Sequence, residues 1–266
     1  TTTAFLVALL WLVHPLQTES VTYVVQRYES LASLWYLLTL YAFVRGAGPG
    51  GPESSPDPGR RSSRPASGSP AWLGWSVACC AAGMLSKEIV VTAPAVVLLY
   101  DRLLLATPWR EILRRRRAYY AALAATWLLL AVSMGRAVSG PQPWGGFRIR
   151  YITSTEYLLS QPGVVLHYLR LCLVPWPQCF DWAWPPARTA LDVVVPGTPV
   201  LAMLALVAVG LARSLPAAFP GACFFLILAP TSSVMPLQDL AWEHRMYLPS
   251  APVIAGVVLG ARAIAR

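Results

Sequence analysis

The stretch HPLQTESVTYVVQRYES, residues 14–30, lies between two apolar runs, residues 3–13 and 31–44. It carries His14, Glu19, Arg27 and Glu29, and Pro15 breaks the helix that leads into it. A charge carried into hydrocarbon costs several kcal/mol, so this cluster belongs at a membrane face or in a polar cavity. Two readings follow. The segment is an interfacial helix whose charges face water, or it is one wall of a site. Residues elsewhere in the chain must decide between them.

The composition places the chain in a membrane. Of 266 residues, 56% are hydrophobic and 12% charged, and the mean hydropathy is +0.52. Soluble domains carry about 25% charged residues. The net charge of +9 is concentrated as arginines in short loops between apolar runs, which is the pattern of membrane topology and not of nucleic-acid binding. The five cysteines show no metal-ligand spacing, so no metal is expected. Cys172 and Cys179 are either a pair, in an oxidising compartment, or two free thiols. The chain opens inside an apolar run without Met and stops just after one. It is therefore expected to be a membrane domain, residues 1–266, truncated at both ends.

A helix rises about 1.5 Å per residue, so roughly 20 residues cross the hydrocarbon. On that measure the expected fold is an all-α polytopic bundle with about eight spans. The candidate spans are residues 3–13, 31–44, 71–85, 89–105, 118–134, 200–212, 217–234 and 249–264. Residues 46–70 are dominated by Gly, Pro and Ser with Arg60, Arg61 and Arg64, and read as a disordered cytoplasmic linker. The run PWREILRRRR, residues 108–117, is the strongest positive-inside signal. Both anchors lie inside, so an even number of crossings separates them, and the Ser86-Lys87-Glu88 turn falls on the outer face with residues 14–30. The same parity keeps residues 136–195 outside. Within them, residues 164–174, bracketed by Pro162, Pro175 and Pro177, read as a helix lying along the interface. Trp176, Trp182 and Trp184 read as an interfacial aromatic belt. All three histidines, His14, His167 and His244, then share the outer face.

That face collects Arg27, Lys87 and Arg245 from separate segments, with Glu19, Glu88, Glu243 and His244 among them. Arginine offers a planar fork and lysine a point charge to a phosphate, and a carboxylate or histidine can take a proton from a hydroxyl. Each residue also has a structural reading: Lys87 with Glu88 as a pair at a turn, Glu243 with Arg245 as the cap of the last helix. Spacing alone does not choose.

The blocks HPLQTESVTYVVQRYESL, GMLSKEIVVTAPAVVLLYDR, QPGVVLHYLRLCLVPWPQCFDWAWP and LAPTSSVMPLQDLAWEHRMYLPSAPV together resemble bacterial relatives of the transmembrane and tetratricopeptide-repeat O-mannosyltransferases, polytopic glycosyltransferases of the GT-C type. The resemblance implies an enzyme that moves a sugar, mannose in the family's name, from a polyprenyl-phosphate donor to a protein or other acceptor at the outer face. It needs no further cofactor. It implies that Glu19 and His14 lie nearest the chemistry, and that Arg27, Lys87, Glu88, Glu243, His244, Arg245 and Tyr247 bind substrate. Arg27, Lys87 and Arg245 are its lipid-phosphate contacts. The family's main acidic residue, in the first outer loop, and the tetratricopeptide repeats are expected outside this stretch. The implied setting is a bacterial inner membrane with the site facing the periplasm, and the implied partners are membrane lipids and the lipid-linked donor. Two competing readings are a transporter or flippase for a lipid-linked sugar, and a non-catalytic membrane scaffold for a repeat domain.

Overall fold

A computed structural model of the chain describes residues 1–48, 69–138, 152–233, 235–237 and 239–265. Most of the expected 46–70 linker lies outside the described residues. Among those described, the secondary structure is helical, without a β-strand. The α-helices are α1 (Thr2–Val13), α2 (Thr18–Thr22), α3 (Arg27–Ala47), α4 (Pro70–Met84), α5 (Ala93–Leu103) and α6 (Trp109–Arg115). They continue with α7 (Arg117–Val138), α8 (Ser154–Leu173), α9 (Ala190–Ala212), α10 (Phe219–Leu228) and α11 (Ser250–Ile264). Short 3₁₀ turns cover Pro15–Gln17, Val24–Gln26, Glu88–Thr92, Pro216–Ala218 and Glu243–Met246.

Two helices are long and apolar enough to cross a membrane, α7 over Arg117–Gly135 and α9 over Ala190–Ala212. A third joins them if α1 and Pro15–Thr22, bent by 56°, form one broken span. Of the other runs, 31–44 lies in the 21-residue α3, which is long enough but does not count among the helices apolar enough to cross, and several others are cut short. The helix α4 has 15 residues, α5 11 and α10 10, or about 23, 17 and 15 Å against roughly 30 Å of hydrocarbon.

Three boundaries differ from the sequence reading. The helix α9 starts at Ala190, ten residues before the expected 200, inside the segment assigned to the outer loop. Thr189 and Asp192 form a capping box that starts it there, and Pro196 and Pro199 ride within it. In an apolar helix proline is tolerated where the surroundings satisfy the carbonyls it frees; Thr198, between the two prolines, donates its hydroxyl back to Val194 O (2.8 Å). The expected interfacial helix 164–174 is the second half of the 20-residue α8, begun by a Thr153–Glu156 capping box. Pro162 sits inside that helix and does not bracket it. Of the expected aromatic belt, Trp176 is exposed, whereas Trp182 and Trp184 pack inward on His167 with ring centroids 4.3 and 4.9 Å away.

The chain divides into two compact units, residues 1–31 with 134–266, and residues 32–133. In the first, α1 and α10 lie along α11, and α8 lies along α9. Their shared core includes Leu16, Tyr157, Tyr168, Leu171, Phe224 and Met246. Apolar helices in lipid associate by close packing, with small residues at the contact. Gly210 of α9 serves this: a Cβ there would sit 2.6 Å from the Ala218 Cβ.

In the second unit, Asp101 is fully buried and pairs with Arg116, and Tyr120 Oη donates to its other oxygen (2.7 Å). Arg116 also donates to Ala47 O (3.1 Å) and lies over the Phe43 ring. One arginine of the run read as a topological signal is thus a buried structural partner. The break expected at Ser86-Lys87-Glu88 is present: α4 ends at Met84, and Lys87, in extended backbone, precedes the 3₁₀ turn into α5.

Candidate functional site

The candidate site belongs to the first unit and is built on the 3₁₀ turn Glu243–Met246. A turn this short has little stability of its own, so side chains from other elements hold it. Tyr168 of α8 grips the preceding residue on both sides: its hydroxyl accepts from Trp242 N (2.8 Å) and donates to Trp242 O (2.9 Å). Arg245 points inward, 7% exposed. It donates to Leu240 O (3.1 Å), Asp239 O (2.7 Å) and the Tyr157 hydroxyl (3.3 Å), and Tyr157 in turn donates to Thr231 O (2.6 Å). Interaction with the buried Tyr168 and Tyr157 holds the guanidinium in its charged form against the desolvation of burial, with its pKa raised. The fork assigned by resemblance to a lipid phosphate is engaged with backbone carbonyls and a tyrosine.

From α2, Glu19 reaches the same turn. Its Oε2 accepts the His244 backbone N–H (2.9 Å) and its Oε1 meets His244 Nδ1 (2.7 Å). A carboxylate only accepts, so this pairing keeps a proton on Nδ1 and makes Nε2 the basic nitrogen of the neutral ring. Ser20 and Gln17 bind the same segment and its continuation, through His244 O (3.5 Å) and the Ser250 hydroxyl (3.2 Å).

Glu243 faces the other way, into a cleft of about 410 Å³. Both of its hydrogen bonds land on Oε1, from Cys179 N (2.8 Å) and Trp182 Nε1 (3.0 Å), which leaves Oε2 for a ligand. Burial raises the pKa of its carboxyl, against the two hydrogen bonds; the negative Glu19 pushes the same way as burial. A carboxyl whose proton affinity is raised in a cleft is better suited than a free one to take a proton from a ligand. Glu19, Thr18, Thr22 and Gln178 add polar groups to the cleft wall, and Tyr23 and Phe180, ring centroids 5.1 Å apart, form its aromatic edge.

Of the residues singled out in the sequence, the fold thus brings Glu19, Glu243 and His244 together, with Arg245 beneath them. Tyr247 is half-buried, its ring edge-on to Trp11 (5.3 Å). His14 has both ring nitrogens engaged: Nδ1 accepts from Leu16 N (3.3 Å) and Nε2 lies 3.2 Å from Cys172 O. That places it as the cap of the Pro15–Gln17 turn, with its proton on Nε2. Arg27 is exposed at the start of α3. Lys87, buried, and Glu88, half-buried, belong to the second unit. Cys172 and Cys179 are free thiols, the first buried and the second exposed at the cleft. Among the described residues no group of three or more His, Cys, Asp or Glu is arranged to hold a metal.

Sequence reasoning missed Tyr23, Cys179, Phe180, Trp182, Tyr157 and Tyr168. The segment 178–184, QCFDWAW, held the available signal, since an acid stands there among three aromatic residues. Only the fold turns Trp182 away from an interface and onto Glu243.

No protein-family model, no curated protein and no solved structure matches this chain.

Proposed function

We propose that this chain is the membrane domain of a glycosyltransferase, an eight-span GT-C-like bundle that takes a sugar from a polyprenyl-phosphate donor at the periplasmic face of a bacterial inner membrane. The observation that carries this reading is Glu243: a buried carboxyl with raised proton affinity, oriented by two donors on one oxygen and facing a cleft with the other. In the proposed step an acceptor hydroxyl gives its proton to Glu243 Oε2 as its oxygen bonds the sugar C1. The C1–O bond to the lipid phosphate breaks, and its electron pair leaves on the phosphate. Glu19 and His244 hold the turn that carries the base. Arg27, which belongs to the same unit as Glu243, is assigned to the phosphate, as the resemblance implies. The sequence blocks quoted above support the sugar and lipid-phosphate chemistry; the cleft supports proton transfer.

The test is transfer of radiolabelled mannose from a short polyprenyl-phosphate donor by the protein at its native length in liposomes. Glu243→Gln keeps the size and both hydrogen bonds to its oxygen, and is expected to lower transfer by 10²–10⁴-fold, the range for loss of a general base. Wild-type transfer in a correctly folded Glu243→Gln protein removes Glu243 from the chemistry. Absence of transfer from any polyprenyl-phosphate sugar removes the transferase.

A further inference from the structure

The cleft beside Glu243 has a chemistry that a phosphosugar site does not share. Among the described residues that line it there is no lysine or arginine. An anion entering there would meet Glu243 and Glu19 with no cation to offset them. The charge of Glu19 is itself engaged, both oxygens being directed at His244, so the cleft is no strong cation trap either. What remains is a set of neutral hydrogen-bonding groups and one free carboxyl oxygen: the hydroxyls of Thr18 and Thr22, the amide of Gln178 and Oε2 of Glu243. They stand beside the exposed rings of Tyr23 and Phe180, 38% and 57% exposed.

The rings are held in place. Phe180 is fixed between Tyr23 and Trp242, edge-on to both, at 5.1 and 5.6 Å, and Trp242 is clamped by the Tyr168 hydroxyl. A rigid aromatic edge beside hydroxyl, amide and carboxyl acceptors fits a ring with a C–H face and a rim of hydroxyls. The volume of about 410 Å³ falls in the range of small-molecule clefts, roughly 300–1,000 Å³.

We infer that this cleft is a subsite for an uncharged sugar ring, with the aromatic edge of Tyr23 and Phe180 against its C–H face and Thr18, Thr22, Gln178 and Glu243 on its hydroxyls. It rests on the transferase reading only for the ring's role, that of a glycosyl acceptor whose hydroxyl meets Glu243 Oε2. The donor phosphate binds elsewhere.

The cleft contains its own reporter. Cys179 is exposed there, whereas Cys79, Cys80, Cys172 and Cys223 are buried. The experiment measures the rate at which N-ethylmaleimide alkylates Cys179, localised by mass spectrometry, on the native-length protein in lipid nanodiscs. The probes are methyl glycosides of mannose, glucose and N-acetylglucosamine, with mannose 1-phosphate and butyltrimethylammonium for comparison. A neutral glycoside is expected to slow alkylation about tenfold at roughly ten times its Kd. Tyr23→Ala, a change at an exposed ring, is expected to raise the half-protecting concentration about fivefold. Protection by the sugar phosphate or the ammonium ion with none by any neutral glycoside overturns the subsite, and so does no protection by any probe. The transferase reading is judged separately. Sugar transfer without glycoside protection keeps the enzyme and loses the subsite; protection without transfer keeps the subsite and loses the enzyme.

Discussion

Glu19 holds His244 at two points, the backbone N–H on one carboxylate oxygen and the ring Nδ1 on the other, at 2.9 and 2.7 Å. The two residues are 225 positions apart, so this carboxylate ties the segment after α1 to the turn before α11. Both side chains are buried. Removing Glu19 leaves the backbone and ring N–H groups of His244 without their acceptor, at roughly 1–3 kcal/mol for each group left unsatisfied. Glu19→Ala is therefore expected to lower stability by that order, measured by denaturant unfolding. Glu19→Gln, which keeps one acceptor oxygen, should cost less. A double-mutant cycle with His244→Ala should show strong coupling, and additive effects would mean the contact does not hold the turn.

Arg245 is expected to act through position. Replacing it with Ala leaves Leu240 O and Asp239 O without their donor, at roughly 1–3 kcal/mol for each group left unsatisfied. The loss should appear in the melting temperature, with transfer by the folded fraction largely kept. A folded, stable Arg245→Ala protein that has lost donor use would restore the phosphate clamp that the sequence suggested.

Glu243 gives a signed pH dependence. Burial raises its folded pKa above the ordinary 4.5, so the folded state holds this proton more tightly than the unfolded state. Its stabilising contribution is complete below about pH 4.5 and is lost as pH rises through the raised value. Glu243→Gln should flatten that decline in a series of melts. An unchanged slope would show that burial does not act on this carboxyl.

His167 slopes the opposite way. Its ring is buried, edge-on to Trp182, and its pKa is lowered from 6.5 to about 4, by desolvation first and then by Arg170. Below pH 6.5 the unfolded state takes up a proton that the folded state refuses, so stability falls with pH down to about 4. The full shift corresponds to up to about 3 kcal/mol. His167→Phe should remove the acid loss. Retention of the loss would assign it to another group.

Topology is open to labelling with a membrane-impermeant maleimide added from the face assigned as outer. It is expected to tag native Cys179, which is exposed. It should not tag Leu113→Cys in a Cys179→Ser background, although Leu113 is 66% exposed, because α6 carries the arginine run. Tagging of position 113 from outside would invert the topology argument.

Much of this arrangement was legible in the chain itself. Composition alone pointed to apolar helices of membrane-crossing length, and the structure has two, or three with the bent pair. The break at Pro15 and the turn at Ser86-Lys87-Glu88 were also readable, and so was the selection of Glu19, Glu243 and His244, which the fold brings together, since charges and helix breakers between apolar runs are local signals. Helix starts were less so. Capping boxes at Thr153 and Thr189 began α8 and α9 earlier than hydropathy suggested, and Pro162 continued inside the helix it had looked to bracket. What each polar side chain does was decided by tertiary structure alone. Nothing local distinguishes Glu19, engaged with His244, from Glu243, with an oxygen at the cleft, or marks Arg245 as a buried clamp and Trp182 as a donor to Glu243. Those roles depend on partners up to 236 residues away in sequence, as between Trp11 and Tyr247. Burial and hydrogen bonding are properties of the folded neighbourhood, which spacing along the chain does not encode.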